Sequence, residues 1–241
     1  MNNDFKAYIE NMKEPWSVLF YRLIWEQLPK ITDSKILDFG SGLGITASHL
    51  AKDNKVIAIE PNVDMIDKRI CDNDYNQIIG NIDQLREQED NSFDVIVCHN
   101  VFEYAEERKE IFREFYRVLK PNGIISIVKH NHSGRIMAKA VFENNIDEAI
   151  ALLEGEAAKA MNFGQVNYYD INDVIEWTGD LDINIERVLG IRTFSGLHSN
   201  NEVKYDPTWQ EKMFKLEMKV CDIEEYTNIA FFNHVLLRKL S

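Results

Sequence analysis

The stretch ILDFGSGLGITASHL, residues 36–50, constrains the fold of this chain more than any other. It begins with mostly apolar residues, as a buried strand does. Three glycines follow within five positions, at 40, 42 and 44, and a helical pattern begins directly after them. Glycine lets the backbone adopt left-handed conformations and approach a ligand closely. A strand, a glycine loop and a helix in this order predict the ligand-binding edge of an open parallel sheet.

The spacing of the glycines argues against a dinucleotide site. A GxGxxG fingerprint would have its third glycine where this chain has Ile45. Asp38 precedes the loop, and Glu60 ends the next strand pattern, VIAIE. Asp38 would repel a phosphate, whereas a carboxylate at the position of Glu60 can accept hydrogen bonds from both hydroxyls of a ribose. These residues predict a nucleoside that carries positive charge.

Short β-branched runs alternate with helical patterns over the first 130 residues, which is typical of βαβ units and a parallel sheet with helices on both faces. The predicted strands in this part are 35–39, 55–60, 77–79, 93–99 and 123–129. The predicted helices are 16–28, 44–52, 63–71 and 106–119.

After residue 129 the alternation changes. Residues 133–163 predict helix without a strand, and αβ character resumes at 170–177 and 183–192. A helix at 207–225 and a strand in AFFNHVLLRKL complete the pattern. We expect a single domain over 1–241, with an N-terminal helical segment at 1–30. Two insertions are expected, a helical one at 132–169 that could act as a lid and another at 195–226.

Composition excludes several classes of protein. The chain has 27 basic and 40 acidic side chains, a net charge of −13, which argues against a broad basic surface for nucleic acid or anionic lipid. Its three cysteines have no CxxC spacing, and His130 and His132 have no evident third ligand, so no metal site is expected. The N-terminus lacks a signal-peptide pattern and no stretch is long and apolar enough to span a bilayer, so we expect a cytoplasmic protein.

From about residue 35 to 129 the sequence resembles the class I S-adenosylmethionine-dependent methyltransferases, through ILDFGSGLG, AIEPNVDMI, GNIDQL, FDVIVCHNVFEY and VLKPNGIISIV. The resemblance implies a Rossmann-like α/β fold with a mostly parallel seven-stranded sheet, S-adenosylmethionine as cofactor and S-adenosylhomocysteine as product. It also implies a set of cofactor contacts: Gly40, Ser41, Gly42 and Gly44 under the methionine part, Glu60 at the ribose, Ile82 and Asp83 at the adenine, and His99 and Asn100 beside the sulfonium. Asp38, at the end of the first strand, is a further candidate cofactor contact because of its charge.

Two of these residues have simpler interpretations. Gly44 could serve only the packing of the helix on the strand, and Asp83 could be an ordinary helix N-cap.

The second half resembles the bacterial tRNA 5-carboxymethoxyuridine methyltransferase family more weakly, through SIVKHNHSG, GIRTF and the closing KLEMKVCDIEEYTNIAFFNHVLLRK. This implies methylation of a carboxylate on a wobble uridine, with the tRNA anticodon region as partner. Residues 142–158 contain five acidic residues and no basic one, where a tRNA-facing surface would carry cations. A small anionic acceptor is therefore the alternative.

Local charge points to an anionic acceptor in either case. The stretch 129–142, KHNHSGRIMAKAVF, is basic and contains no acid. Its candidate substrate residues are Asn131, His132 and Arg135, and Arg192 of GIRTF is the candidate for a bidentate contact to a carboxylate. A solvated helix face with extended cations is the simpler interpretation. Tyr168 and Tyr169 could stack on a base or pack in the core.

A carboxylate acceptor is already ionised near neutrality, so no catalytic base is assigned. For a hydroxyl or an amine, His132 or His99 would be the first candidates. Two hypotheses of other classes are kept, a non-catalytic nucleoside-binding module and an NAD-type oxidoreductase on the same sheet. Ile45 counts against NAD.

Overall fold

A computed structural model describes residues 9–155, 159–160 and 164–241. The chain forms two compact units. The glycine-loop unit comprises Leu28–Val128, Asp170–Arg187 and Val235–Ser241, and the Arg192 unit comprises Met1–Gln27, Lys129–Tyr169 and Val188–His234. The beginning of the predicted segment 1–30 and two short parts of the predicted insertion 132–169 lie outside the described residues.

The helices and strands follow one another along the chain with short connections. The helices are α1 (Pro15–Gln27), α2 (Ile45–Leu50), α3 (Val63–Asp67), α4 (Ile82–Arg86), α5 (Arg108–Val118), α6 (His132–Met137), α7 (Ile146–Leu153), α8 (Ile171–Thr178), α9 (Pro207–Val220) and α10 (Glu224–Thr227). The strands are β1 (Lys35–Phe39), β2 (Lys55–Glu60), β3 (Asn76–Ile79), β4 (Phe93–His99), β5 (Leu119–His130), β6 (Lys159–Ala160), β7 (Gly164–Gln165), β8 (Ile183–Ile191) and β9 (Phe232–Lys239). A π-helical turn, Ala138–Phe142, follows α6, and a 3₁₀ turn, Glu202–Tyr205, precedes α9.

Within the described residues, seven strands form one sheet in the order β3–β2–β1–β4–β5–β9–β8. The pairs β1–β2, β1–β4, β2–β3 and β4–β5 are parallel. Strands β1 to β4 belong wholly to the glycine-loop unit, whereas β5, β8 and β9 have residues in both units. The predicted Rossmann-like α/β fold with a mostly parallel sheet is confirmed.

No described helix is both long and apolar enough to cross a membrane.

Helix α5 shows how the glycine-loop unit is held together. Its apolar spacing predicts one buried stripe, and Ile111, Phe112, Phe115 and Val118 are all buried. Phe112 stacks on Phe102, with 4.9 Å between the ring centroids. Because fully burying a phenylalanine is worth about 1.5–3 kcal/mol, these rings dominate the local packing energy.

Helix α1 holds the Arg192 unit together through a similar buried apolar face. It buries Leu19, Phe20, Leu23 and Ile24 on one face, as the sequence predicts. Phe20 packs against Phe232, with ring centroids 4.8 Å apart.

The predicted end of the 63–71 helix is wrong. The α-helix α3 ends at Asp67, because Ile70 makes tertiary hydrogen bonds instead of helical ones. The Ile70 amide donates to the Leu43 carbonyl over 2.8 Å, and the Ile70 carbonyl accepts the Tyr75 hydroxyl over 3.0 Å.

The fifth strand also begins earlier than predicted, at Leu119 rather than at residue 123. Phe93 pairs with Leu119 and Val95 pairs with Ile124, so β5 carries extra residues in a bulge that contains Pro121. The sequence pattern predicts helix alone over 133–163, whereas β6 lies in this segment and pairs in antiparallel fashion with β7, which follows the segment directly.

Candidate active site

The glycine loop adopts the left-handed conformations that the sequence predicts. Gly40, Gly42 and Gly44 have φ angles of 78°, 53° and 70°. A Cβ atom at Gly40 would lie 2.3 Å from a methyl group of Val101, and one at Gly44 would lie 1.9 Å from the Tyr75 hydroxyl. The Gly44 position therefore requires glycine for its backbone conformation and for the approach of Tyr75, which goes beyond packing of the helix on the strand.

Two buried carboxylates lie at the ends of β1 and β2. Glu60 is 6% exposed and accepts hydrogen bonds from the amides of Gly42, over 2.8 Å, and Asn62, over 2.9 Å. Asp38 is 3% exposed, and its Oδ2 atom has no hydrogen-bond partner among the described residues. Burial, together with the charge of Glu60, raises the pKa of Asp38 to about 7. Carboxylates held in this way favour a cationic ligand.

Residues at the end of β3 form the start of α4. Asn81, not Asp83, is the N-cap: its side chain accepts from the Asp83 amide, and the Gln84 side chain accepts from the Asn81 amide. The alternative interpretation of Asp83 as the cap is therefore wrong. Ile82 is buried, whereas Asp83 is exposed and pairs with Arg86 over 3.0 Å.

The end of β4 presents His99 and Asn100. The Nε2 atom of His99 lies 2.8 Å from the Ser126 hydroxyl, and burial lowers the pKa of the His99 imidazole to about 3. The ring is therefore neutral at physiological pH and a weak base. Asn100 has a φ of 56°, and its buried Oδ1 atom has no hydrogen-bond partner in the part of the chain that the structure describes.

The sequence-predicted cofactor residues thus come together at the carboxyl ends of β1 to β4, in the glycine-loop unit. The predicted substrate residues, Asn131, His132, Arg135 and Arg192, belong to the Arg192 unit.

Arg192 follows the last residue of β8 and has a φ of 62°. Its guanidinium carbon lies 5.2 Å from the ring centroid of Trp16 and 5.1 Å from that of Phe231. Burial lowers the pKa of Arg192 to about 10, while the charge of Glu217 acts in the opposite direction. Among the described residues, its buried Nε atom has no hydrogen-bond partner. An arginine in this state can still donate to an incoming carboxylate.

Other cations lie near Arg192. Arg135 is over the same Phe231 ring, at 5.8 Å from its centroid. Burial lowers the pKa of His130 to about 4, and the charges of Arg135, Lys129 and Arg192 add to the shift. The Arg192 unit therefore contains a local cluster of positive charge in a chain whose net charge is −13.

Residues 37–127 match the family model of the methyltransferase domain. The fold of the chain is that of the class I S-adenosylmethionine-dependent methyltransferases. The match to a methyltransferase domain shows an enzyme, and it implies S-adenosylmethionine as the cofactor.

Two solved structures share the fold of this chain, and one curated protein is similar to it over most of its sequence. A S-adenosylmethionine-dependent methyltransferase from Mesorhizobium loti has a TM-score of 0.61 and 14% identity, over 91% of this chain and 97% of that chain. Another, from Methanosarcina mazei, has a TM-score of 0.57 and 19% identity, over 91% of this chain and 98% of that chain. The tRNA 5-carboxymethoxyuridine methyltransferase of Escherichia coli O157:H7 is 22% identical over 231 residues, which cover 90% of this chain and 87% of the relative.

The glycine-loop residues of the methyltransferase fit its cofactor. Asp38 Oδ2 and Asn100 Oδ1 are buried acceptors that find no donor among the described residues. Ribose hydroxyls, an adenine amine and an ammonium group supply donors, and a sulfonium supplies positive charge. The cofactor therefore supplies the hydrogen-bond donors and the positive charge that these buried oxygens accept.

Two of the predicted substrate residues, Asn131 and His132, make contacts within the Arg192 unit. The side-chain Nδ2 of Asn131 donates to the carbonyls of Asn228, over 3.0 Å, and Ala230, over 2.8 Å, so it fixes the chain ahead of β9. His132 faces the Tyr168 ring, with 4.9 Å between centroids. Of Tyr168 and Tyr169, Tyr169 is buried.

The acidic segment of the methyltransferase partly neutralises its basic one. Lys139 is buried, and its ammonium lies 2.6 Å from Glu143 and 2.9 Å from Glu148. Arg135 lies 3.7 Å from Glu143. Two of the acids in residues 142–158 are therefore counter-ions within the unit.

Sequence reasoning missed Glu217. It is 1% exposed and accepts hydrogen bonds from the amides that follow Arg192. The sequence contained one indication of its role, a carboxylate on the buried face of a helix. Glu217 and Val220 are the buried residues of α9, and a buried carboxylate needs a specific partner. The partner itself is more than twenty positions away, so spacing within the helix could not identify it.

Proposed function

We propose that the enzyme transfers the methyl group of S-adenosylmethionine to a carboxylate, and that this carboxylate belongs to a modified wobble uridine of tRNA. The observation that carries the proposal is the Arg192 guanidinium, which lies over two aromatic rings and pairs with no carboxylate among the described residues. Arginine beside aromatic rings suits an acceptor that combines a carboxylate with a planar base.

The tRNA part of the proposal is supported by the E. coli relative, whose name states that acceptor and whose sequence is matched over 87% of its length. The pairing of Glu143 and Glu148 with Lys139 also weakens the main objection from the sequence. These acids do not add uncompensated negative charge to a tRNA-facing surface.

The cofactor contacts are part of the proposal. Glu60 would hold the ribose hydroxyls, and Gly40, Ser41, Gly42 and Gly44 would line the methionine part. Ile82 and Asp83 would border the adenine, with His99 and Asn100 beside the sulfonium. Asp38 would offset the positive charge, in agreement with its burial and its free Oδ2 atom among the described residues.

When bound, S-adenosylmethionine supplies a methyl group whose bond to sulfur breaks, with the electron pair remaining on sulfur, as a bond to the acceptor oxygen forms. The chain therefore has to align the acceptor and exclude water, since opposite charges cancel in this step. Arg192 would bind the acceptor carboxylate through the donors of its guanidinium. His99 is too weak a base to activate a hydroxyl or an amine efficiently, so its low pKa favours an acceptor that is already ionised.

A second candidate is a small anionic metabolite as acceptor. The net charge of −13 favours it, because a broad tRNA contact needs phosphate-neutralising cations.

One assay separates the two acceptors. Purified enzyme and methyl-labelled S-adenosylmethionine are incubated with bulk tRNA, or with small-molecule extract, from cells that lack the gene. Label should enter the tRNA, and mild alkali should release it, because a methyl ester hydrolyses whereas methyl groups on nitrogen or ether oxygen remain. Label confined to the small-molecule extract would support the metabolite, and alkali-stable label would contradict a carboxylate acceptor.

A further inference from the structure

The turn after Arg192 is built on a single buried carboxylate. Glu217 of α9 accepts three consecutive backbone amides: Thr193 and Ser195 each over 2.8 Å, and Phe194 over 3.0 Å. All three residues follow the left-handed Arg192 directly. Glu217 itself is 1% exposed.

Two features of Arg192 are unfavourable by themselves. A non-glycine residue with a positive φ is strained, and a buried guanidinium loses hydration. Both persist only where the surroundings over-determine them. Glu217 offsets both unfavourable features. Its three hydrogen bonds fix the backbone after residue 192, and its charge favours the protonated guanidinium.

Glu217 uses its oxygens on the backbone and forms no salt bridge with Arg192 within the described residues. A direct bidentate pair would occupy the fork of donors that a carboxylate ligand needs. The arrangement stabilises the charge of the arginine without filling its donor positions.

We propose that Glu217 is the positioning residue of the acceptor site: by binding the amides of residues 193–195 it holds Arg192 in the left-handed conformation that presents its guanidinium to an anionic acceptor. This inference rests on the proposed function of Arg192. It assigns Glu217 no contact with the substrate and no part in the bond-making step.

The test compares Glu217→Gln with Glu211→Gln. Glu211 lies on the same helix and pairs with Arg22 at the surface, so it is a matched control that leaves the turn intact. With bulk tRNA from cells lacking the gene, Glu217→Gln should raise the KM for tRNA about tenfold or more, since it removes a charge-assisted acceptor of buried amides. The kcat and the KM for S-adenosylmethionine should change less than about threefold, because uniform binding is lost rather than transition-state stabilisation. Glu211→Gln should match the wild type in all three.

Two further measurements distinguish positioning from general damage. In Arg192→Ala, adding Glu217→Gln should raise the KM for tRNA no further, because both changes disable the same contact. Hydrogen exchange of the 193–195 amides should accelerate in Glu217→Gln and not in Glu211→Gln. If Glu217→Gln does not fold, Glu217→Asp, which keeps the charge and shortens the reach, takes its place with the same expected direction.

The outcomes separate the inference from the function on which it rests. A raised KM in Arg192→Ala with an unchanged KM in Glu217→Gln overturns the positioning role alone. An unchanged KM in Arg192→Ala, or no transfer to this tRNA by the wild type, overturns the proposed acceptor site and the positioning role with it.

Discussion

Replacing Asp38 with asparagine should remove a pH dependence from cofactor binding. Asp38 is 3% exposed, and burial together with the charge of Glu60 raises its pKa from 3.8 to about 7. The difference is worth about 4 kcal/mol, which is the cost of ionising Asp38 in the ligand-free protein relative to the unfolded chain. In the proposed binding mode a sulfonium near Asp38 would favour the ionised form and lower this pKa.

Binding of S-adenosylmethionine should therefore release a proton below pH 7. At pH 6 a group with a pKa of about 7 is roughly 90% protonated, so about 0.9 proton should be released if the bound form is fully ionised. The Kd should fall by up to about tenfold for each pH unit from 5 to 7 and then level off. S-adenosylhomocysteine, which lacks the positive sulfur, should show a weaker dependence.

Calorimetry in buffers of different ionisation enthalpy measures the released protons directly. In Asp38→Asn the pH dependence between 5 and 7 should disappear, because the amide does not titrate. A Kd for S-adenosylmethionine that stays constant from pH 5 to pH 8 in the wild type would refute this reasoning.

The same group has a defined effect on stability. Because its folded pKa is raised, the contribution of Asp38 is most favourable below pH 3.8 and is lost as the pH rises through about 7. Without ligand, the free energy of unfolding of Asp38→Asn, measured in urea, should therefore rise relative to that of the wild type by about 3 kcal/mol as the pH increases from 5 to 8. A constant difference would show that Asp38 is ionised throughout.

Two other substitutions test how the fold holds the site. Gly44→Ala combines a φ of 70° with a Cβ 1.9 Å from the Tyr75 hydroxyl, so it should cost about 3 kcal/mol in urea unfolding. Gly155→Ala has a φ of 89° and no atom of the described residues within 4 Å of its Cβ, so it should cost only about 1 kcal/mol. Equal losses would contradict the steric argument. Lys239 is 5% exposed and its ammonium donates to three acceptors, so Lys239→Met leaves them unpaired and should cost about 3 kcal/mol. Arg113→Met removes an exposed pair and should cost less than about 0.5 kcal/mol.

The sequence predicted the glycine loop, the sheet and the apolar faces of α1 and α5 well. These features depend on local information: glycine marks positive φ, and apolar spacing marks the buried side of an element. Asp38 and Glu60 were predictable for the same reason, since the end of each strand is legible and parallel strands end at one edge.

Contacts between distant parts of the chain were not predictable. Ile70 leaves the helical pattern because Leu43 and Tyr75 take its hydrogen bonds, and the bulge in β5 depends on its register with β4. The link from Glu217 to the turn at residues 193–195 joins two elements whose patterns say nothing of each other. Periodicity identifies which face is buried and leaves its partner open.

Mass spectrometry of tRNA nucleosides tests the proposal that the enzyme methylates a carboxylate in tRNA. Cells that lack the gene are compared with cells that express the wild type or Arg192→Ala from a plasmid, and tRNA is isolated without exposure to alkali. We predict that deletion replaces one methyl-ester nucleoside by a species 14 Da lighter, roughly the mass of one CH₂ group, that the wild type restores it, and that Arg192→Ala does not. An identical set of nucleosides with and without the gene would contradict the account.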